Sequence, residues 1–210
     1  MNIILSVYKK LYRMYGPQGW WPIDNEYHKR DFSYPKTGRQ QLEVCLGAIL
    51  TQNTSWKNVE KALENLKKNN LIDPKKISSI DKKRLANIIR SSGYHNQKAK
   101  KLKIFSRFYL SLKGRAPSRD ELLEVWGIGP ETADSILLYA YNQSEFVVDA
   151  YTRRLLASMN IITEKFAYDE IKLLFENNLP KDYRLFQEYH ALIVENGKNV
   201  DYNRKYSSKK

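Results

Sequence analysis

The segment 122–139, LLEVWGIGPETADSILLY, holds the residues best suited to grip an anion. Apolar residues at helical spacing lead into Gly127-Ile128-Gly129. A second helical stretch opens at Pro130, where the missing N–H of proline costs nothing. Two glycines permit a tight turn and leave backbone N–H groups uncovered. With the positive end of the following helix they make a site for a phosphate, and such a site holds a nucleic-acid backbone without reading a base. Ile128 is expected to point inward and join the two helices. A bare Gly-x-Gly also describes an ordinary turn; the longer pattern, GIG followed by Glu131 and Thr132-Ala133 in a basic chain, favours the anion site.

Other residues carry chemistry farther away. Asp149 follows the apolar run Phe146-Val147-Val148 and precedes a helical stretch, so its carboxylate suits an N-cap. Trp20-Trp21-Pro22 offers a flat, rigid, apolar surface on which a planar base can stack, although large aromatics more often serve the core. The basic run 97–103, QKAKKLK, reads as a solvated face or a set of phosphate contacts, and Arg153 and Arg154 lie close to Asp149 in the chain. Cys45 is the single cysteine, which excludes an internal disulfide and any cysteine-ligated zinc or iron–sulfur site. His28, His95 and His190 show no ligand spacing, so no metal site is expected.

The elements that must position these residues are helical. Leu42, Cys45, Leu46, Ile49 and Leu50 make one apolar stripe. Val59, Ala62, Leu63 and Leu66 make a second, and Leu102, Phe105, Phe108, Tyr109 and Leu112 a third, with Gly114 expected as the C′ residue. Further stripes follow, the last being Phe186, Tyr189, His190 and Ile193, expected to stop near Gly197 ahead of a fraying basic tail. Strand-like alternation is almost absent, and the fold class expected is all-α. The 210 residues carry 36 Lys and Arg against 23 Asp and Glu, a formal charge of +13, which points first to a polyanionic partner. No run of eighteen apolar residues is present, so no membrane partner is expected. The N-terminal stretch lacks the charged-then-apolar order of a signal peptide, and an intracellular protein is expected.

VWGIGPETADSILLYA followed by FVVDAYTRRLL resembles the helix-hairpin-helix motif and aspartate loop of the endonuclease III (HhH-GPD) superfamily of DNA glycosylases. LGAILTQNTSWKNVEKAL and SSGYHNQKAKKLK resemble earlier segments of the same family, in the right order, so the resemblance spans roughly residues 20–200. It implies two helical lobes: 36–142, containing the hairpin, and 1–35 with 143–210. A cleft between them would receive a base flipped out of duplex DNA. It also implies that Asp149 faces the flipped nucleotide and stabilises the positive charge that builds on the sugar as the glycosidic bond breaks. Gln52 would enter the gap the base leaves, and Gly127, Ile128, Gly129, Glu131, Thr132 and Arg153 would contact DNA.

Three departures refine the resemblance. Strand-cleaving relatives carry a lysine two residues after the second hairpin glycine; here that residue is Glu131, which cannot form a Schiff base, so a monofunctional enzyme is expected. The chain has no cysteines near Gly197, so no iron–sulfur cofactor is expected, while Lys198, Arg204 and Lys205 remain available to DNA. Trp20, Trp21 and Pro22, with Trp56 after TQNT, resemble the base pocket of the 3-methyladenine DNA glycosylase III group, which implies an alkylated purine as substrate. A uracil or mismatch glycosylase, reading the base through Asn25, Gln52, Asn53 or Tyr151, is the alternative on this scaffold. A non-catalytic hairpin module that only grips DNA is the alternative of another class. The expected setting is a monomer acting on damaged double-stranded DNA in a prokaryotic cell.

Overall fold

The computed structural model describes residues 2–207 in backbone and 2–200 in side chains. Eleven α-helices account for most of the described residues: α1 Ile3–Tyr15, α2 Gly38–Leu50, α3 Trp56–Lys68, α4 Pro74–Ser79, α5 Lys82–Ile88, α6 His95–Ser111, α7 Arg119–Leu123, α8 Pro130–Ala140, α9 Ala150–Ser158, α10 Tyr168–Glu176 and α11 Tyr183–Ser207. Among the described residues there is no β-strand, and no helix is long and apolar enough to cross a membrane. The all-α expectation holds. The chain divides into two compact units. One gathers the described residues of Met1–Pro22, Glu26–Phe32 and Asn142–Lys210; the other is Ile23–Asn25 with Ser33–Tyr141.

The second of these, the hairpin unit, is built around α2 and α8, which pack on each other. Every residue of α2 from Leu42 to Leu50 is buried, and so is every residue of α8 from Thr132 to Ala140. The stripe read from the sequence is thus only part of a fully enclosed circumference, as expected of a core helix. Enclosure forces polar groups to find partners. Glu43, only 1 % exposed, accepts from the Asp24 amide at 3.0 Å and pairs with Lys67 at 2.6 Å. These bonds hold Ile23–Asn25 in this unit. Local signals set the helix starts: Thr37, Asp73 and Asp81 accept from first-turn amides of α2, α4 and α5, and Ser118 with Glu121 forms a capping box on α7.

The run 97–103 is not simply a solvated face. Lys98 is buried, and its Nζ donates to the carbonyls of Leu50 at 2.8 Å and Ser92 at 2.6 Å. Burial, with Lys101 nearby, pulls its pKa down to about 8. Lys103 donates to the carbonyls of Ser78 and Ile80, closing the C-terminal end of α4. Helix α6 ends at Ser111 with Leu112 as C-cap; Lys113 at φ 51° is the C′ residue, and Gly114 follows at φ 89°.

The first unit packs α11 against α1 and α9. Phe146 stacks on Phe175 at 3.9 Å between centroids, Phe186 and Tyr189 meet them edge-on, and the Tyr189 hydroxyl donates to Ile4 O at 2.8 Å. The expected stop at Gly197 is not there: α11 runs through it to Ser207. A Cβ on Gly197 would lie 2.0 Å from the Tyr151 ring, so this glycine serves a close helix-to-ring approach instead of ending the helix. The side chains of Arg204 and Lys205 lie outside the described residues.

Candidate active site and anion-binding hairpin

Asp149 stands at the N-terminus of α9 and caps it. Its Oδ1 accepts from the Thr152 amide at 2.8 Å and the Thr152 hydroxyl at 3.0 Å. The capping reading is therefore correct, and it uses one oxygen. The other, Oδ2, faces His190 Nε2 at 3.6 Å. Burial pushes the carboxyl toward its neutral form, but His190 and the two Thr152 donors outweigh it and hold the pKa below the ordinary 3.8. An ionised carboxylate in a largely dry setting results.

The segment leading to Asp149 is fixed by α10. Phe146 N donates to Glu176 at 2.8 Å and Val148 N to the Tyr168 hydroxyl at 3.3 Å. Lys172, itself buried, bridges Glu145 and Glu176. With Phe146, Val147 and Val148 in the core, Asp149 has little freedom to move. His190 was legible only as one more member of an apolar stripe; nothing in its sequence neighbourhood marks it as the partner of a carboxylate 41 positions upstream.

The aromatic residues divide. Trp20 is half-buried and lines a cavity of about 290 Å³ with Gln18, Tyr27, Lys29, Val194 and Lys198. Trp21 and Pro22 are buried, and the Trp21 ring supports Trp20 at 5.2 Å instead of lining the cavity. The Lys198 ammonium lies 5.7 Å over the Trp20 ring. Trp56 belongs to the hairpin unit, where its Nε1 donates to Glu60 at 2.8 Å. The cations near Asp149 in sequence are partly engaged: Arg153 donates to Phe166 O at 2.9 Å and Arg154 stacks on Tyr151 at 4.5 Å. Tyr151 is thus held between Arg154 and Gly197, while Asn25 and Asn53 are exposed turn residues with positive φ.

In the hairpin unit, α7 and α8 are joined by the turn 124–129, with Ile128 buried and Pro130 opening α8 as the sequence requires. Gly127 takes φ 87°, and a Cβ there would meet the Lys101 stem at 2.7–2.9 Å. The first-turn N–H groups of α8 have no helical carbonyl ahead of them and form the positive end of the helix. Glu131 is exposed in that first turn. Gln52 does not project freely: its amide donates to Gly127 O at 3.1 Å and Thr132 Oγ1 at 2.9 Å, and its oxygen accepts from Lys101. Asp134, fully buried, pairs with Arg119 at 2.8 Å and ties α7 to α8.

An all-helical chain with a helix-hairpin-helix turn in one unit and an aspartate capping a helix in the other has the elements of a helical DNA-repair enzyme. Residues 46–181 match the family model described as HhH-GPD superfamily base excision DNA repair protein. The chain belongs to that superfamily and is a DNA glycosylase of it. A Methanocaldococcus jannaschii protein named as a DNA repair glycosylase is 46 % identical over 208 residues, 94 % of this chain and 88 % of that one. Endonuclease III of Sulfolobus acidocaldarius is 26 % identical over 98 % of this chain and 91 % of its own length. Among solved structures, Helicobacter pylori 3-methyladenine DNA glycosylase bound to 1,N6-ethenoadenine superposes with a TM-score of 0.77 at 32 % identity, covering 95 % of this chain and 97 % of that one.

Proposed function

We propose that this protein is a monofunctional DNA glycosylase that removes alkylated purines, 3-methyladenine among them, from double-stranded DNA. The observation that carries the reading is Asp149: one oxygen held by Thr152, the other facing His190 Nε2 at 3.6 Å, and a pKa held low so that the negative charge is present at neutral pH. As the bond between sugar C1′ and the base nitrogen breaks, its electron pair leaves with the base. Positive charge then spreads over C1′ and the ring oxygen, and a fixed carboxylate in a dry site stabilises it. Water adds at C1′ and gives up a proton, for which Asp149 is the acceptor, leaving an abasic site.

Glu131, where strand-cleaving relatives carry lysine, supports hydrolysis over Schiff-base chemistry. The electron-rich Trp20 face, which already holds the Lys198 ammonium, supports a cationic alkylated base as its guest. Trp21 and Pro22, both buried, stiffen that face. The relative solved with an etheno-purine base supports the same substrate class. We further propose that the enzyme acts as a monomer without an iron–sulfur cluster, since Cys45 is the single cysteine and is buried.

The test is base release from duplexes carrying 3-methyladenine, 7-methylguanine, uracil, hypoxanthine or 8-oxoguanine, each read with and without alkali. Alkali-dependent cleavage at alkylated purines is expected. Uracil release would keep Asp149 and overturn the aromatic pocket. Cleavage without alkali would overturn the monofunctional reading. No release from any substrate with duplex binding intact would leave a binding module.

A further inference from the structure

Trp126 is the largest side chain left open beside the hairpin. It is 48 % exposed, whereas Val125 and Ile128 on either side of the turn are 7 % exposed each. No side-chain hydrogen bond of Trp126 is present among the described residues. Its ring is nevertheless held: the Lys100 ammonium sits 4.1 Å from the ring centroid. Lys100 differs from its neighbours in α6. Lys98 and Lys103 point their ammonium groups at backbone carbonyls, and Lys101 is bonded to Gln52. The helix has no acidic residue from His95 to Ser111 that could pair with Lys100. Lys100 is therefore a cation kept at the surface by the face of an indole that belongs to the hairpin turn.

We propose that Trp126 and Lys100 form a second contact to the sugar-phosphate backbone of the DNA strand that the hairpin grips. The hairpin amides take one phosphate, the indole packs against the adjoining deoxyribose, and Lys100 takes a neighbouring phosphate. The chemistry fits: a deoxyribose offers an apolar face to the ring, and an ammonium already ordered by the ring loses less freedom on meeting a phosphate. The contact reads neither sequence nor damage. This inference rests on the reading that the hairpin grips duplex DNA, and it is independent of which base is removed.

The experiment measures binding of undamaged duplex, and of the same duplex carrying a damaged base, by the full-length protein at several salt concentrations, for the wild type and for Trp126→Ala, Trp126→Phe, Lys100→Ala and the double variant. Trp126→Ala is expected to weaken binding about fivefold with the salt slope unchanged. Lys100→Ala is expected to weaken binding and reduce the log–log salt slope by about one phosphate contact. The double variant is expected to lose less than the product of the two, and Trp126→Phe to retain most of the affinity. Thermal midpoints matching the wild type check that the variants fold, and Trp126→Phe serves where the alanine variant does not. Wild-type affinity and slope in Trp126→Ala and Lys100→Ala would overturn the proposal. So would an effect confined to damaged duplex, which would place the indole against the base. If no base is released from any substrate while these binding effects hold, the glycosylase reading fails and this contact stands.

Discussion

Replacing Asp149 by asparagine keeps an Oδ1 acceptor for Thr152, so the start of α9 survives while the negative charge is lost. Base release by Asp149→Asn is expected to fall by about a hundredfold or more, with duplex affinity and the unfolding midpoint near wild type, as single-turnover kinetics and calorimetry would read. A large loss of stability instead would make the capping bond the main role of this residue. The pH dependence follows from the lowered pKa. A carboxyl that ionises more readily in the folded than in the unfolded chain adds stability above the ordinary value of 3.8, and that stability is lost as pH falls through the lower folded value. The acid limb of base release is therefore expected below 3.8. His190→Leu removes a group that holds the carboxyl ionised while burial still opposes ionisation, so the acid limb should move to higher pH. An unmoved limb would mean that His190 packs beside Asp149 without acting on it. The sequence marked Asp149 because an aspartate before a helix is a local pattern. It could not mark His190, because their meeting depends on how α11 lies along α9.

At the scale of elements, the hairpin depends on bonds that the motif does not spell out. Asp134 is fully buried and Arg119 approaches it with two nitrogens, at 2.8 and 3.3 Å, from the helix on the other side of the turn. Arg119→Ala takes the guanidinium away from a buried carboxylate, and a loss of about 3–5 kcal/mol is expected from urea unfolding, with duplex affinity falling as the turn loosens. A loss under about 1 kcal/mol would show that the pair behaves as a surface ion pair. Gln52 shows bonds of the hairpin that the sequence does not spell out. The family resemblance implies that it enters the gap left by a flipped base; in the structure both ends of its amide brace Gly127, Thr132 and Lys101. Helix starts were legible because capping is local, as at Pro130 and Asp149. Helix ends were less so: Gly197 looked like a stop, but its small size answers to the ring of Tyr151, a contact with a residue 46 positions away.

For the whole molecule, the formal charge of +13 stands mostly on exposed side chains. Several of the 23 acidic residues are turned inward or paired: Glu43 with Lys67, Asp134 with Arg119, Glu145 and Glu176 with Lys172, and Glu188 with the Gln18 amide at 2.6 Å. Each ion pair also uses a cation, so the basic excess is hardly changed by them. Most of the 36 Lys and Arg remain exposed, since only Lys98 and Lys172 are buried among the described residues. An excess of surface cations binds a polyanion mainly by releasing its counterions, so affinity for undamaged duplex should fall steeply with salt, by about tenfold or more between roughly 50 and 200 mM. Removing the hairpin geometry with Gly127→Ala, which puts a side chain at φ 87° and against the Lys101 stem, should lower affinity at every salt while leaving most of that slope, because the amides it displaces carry no net charge. A slope that vanished with the hairpin would mean that the cations engage DNA only after the turn is seated. A slope that was weak from the start would mean that the basic excess serves something other than DNA.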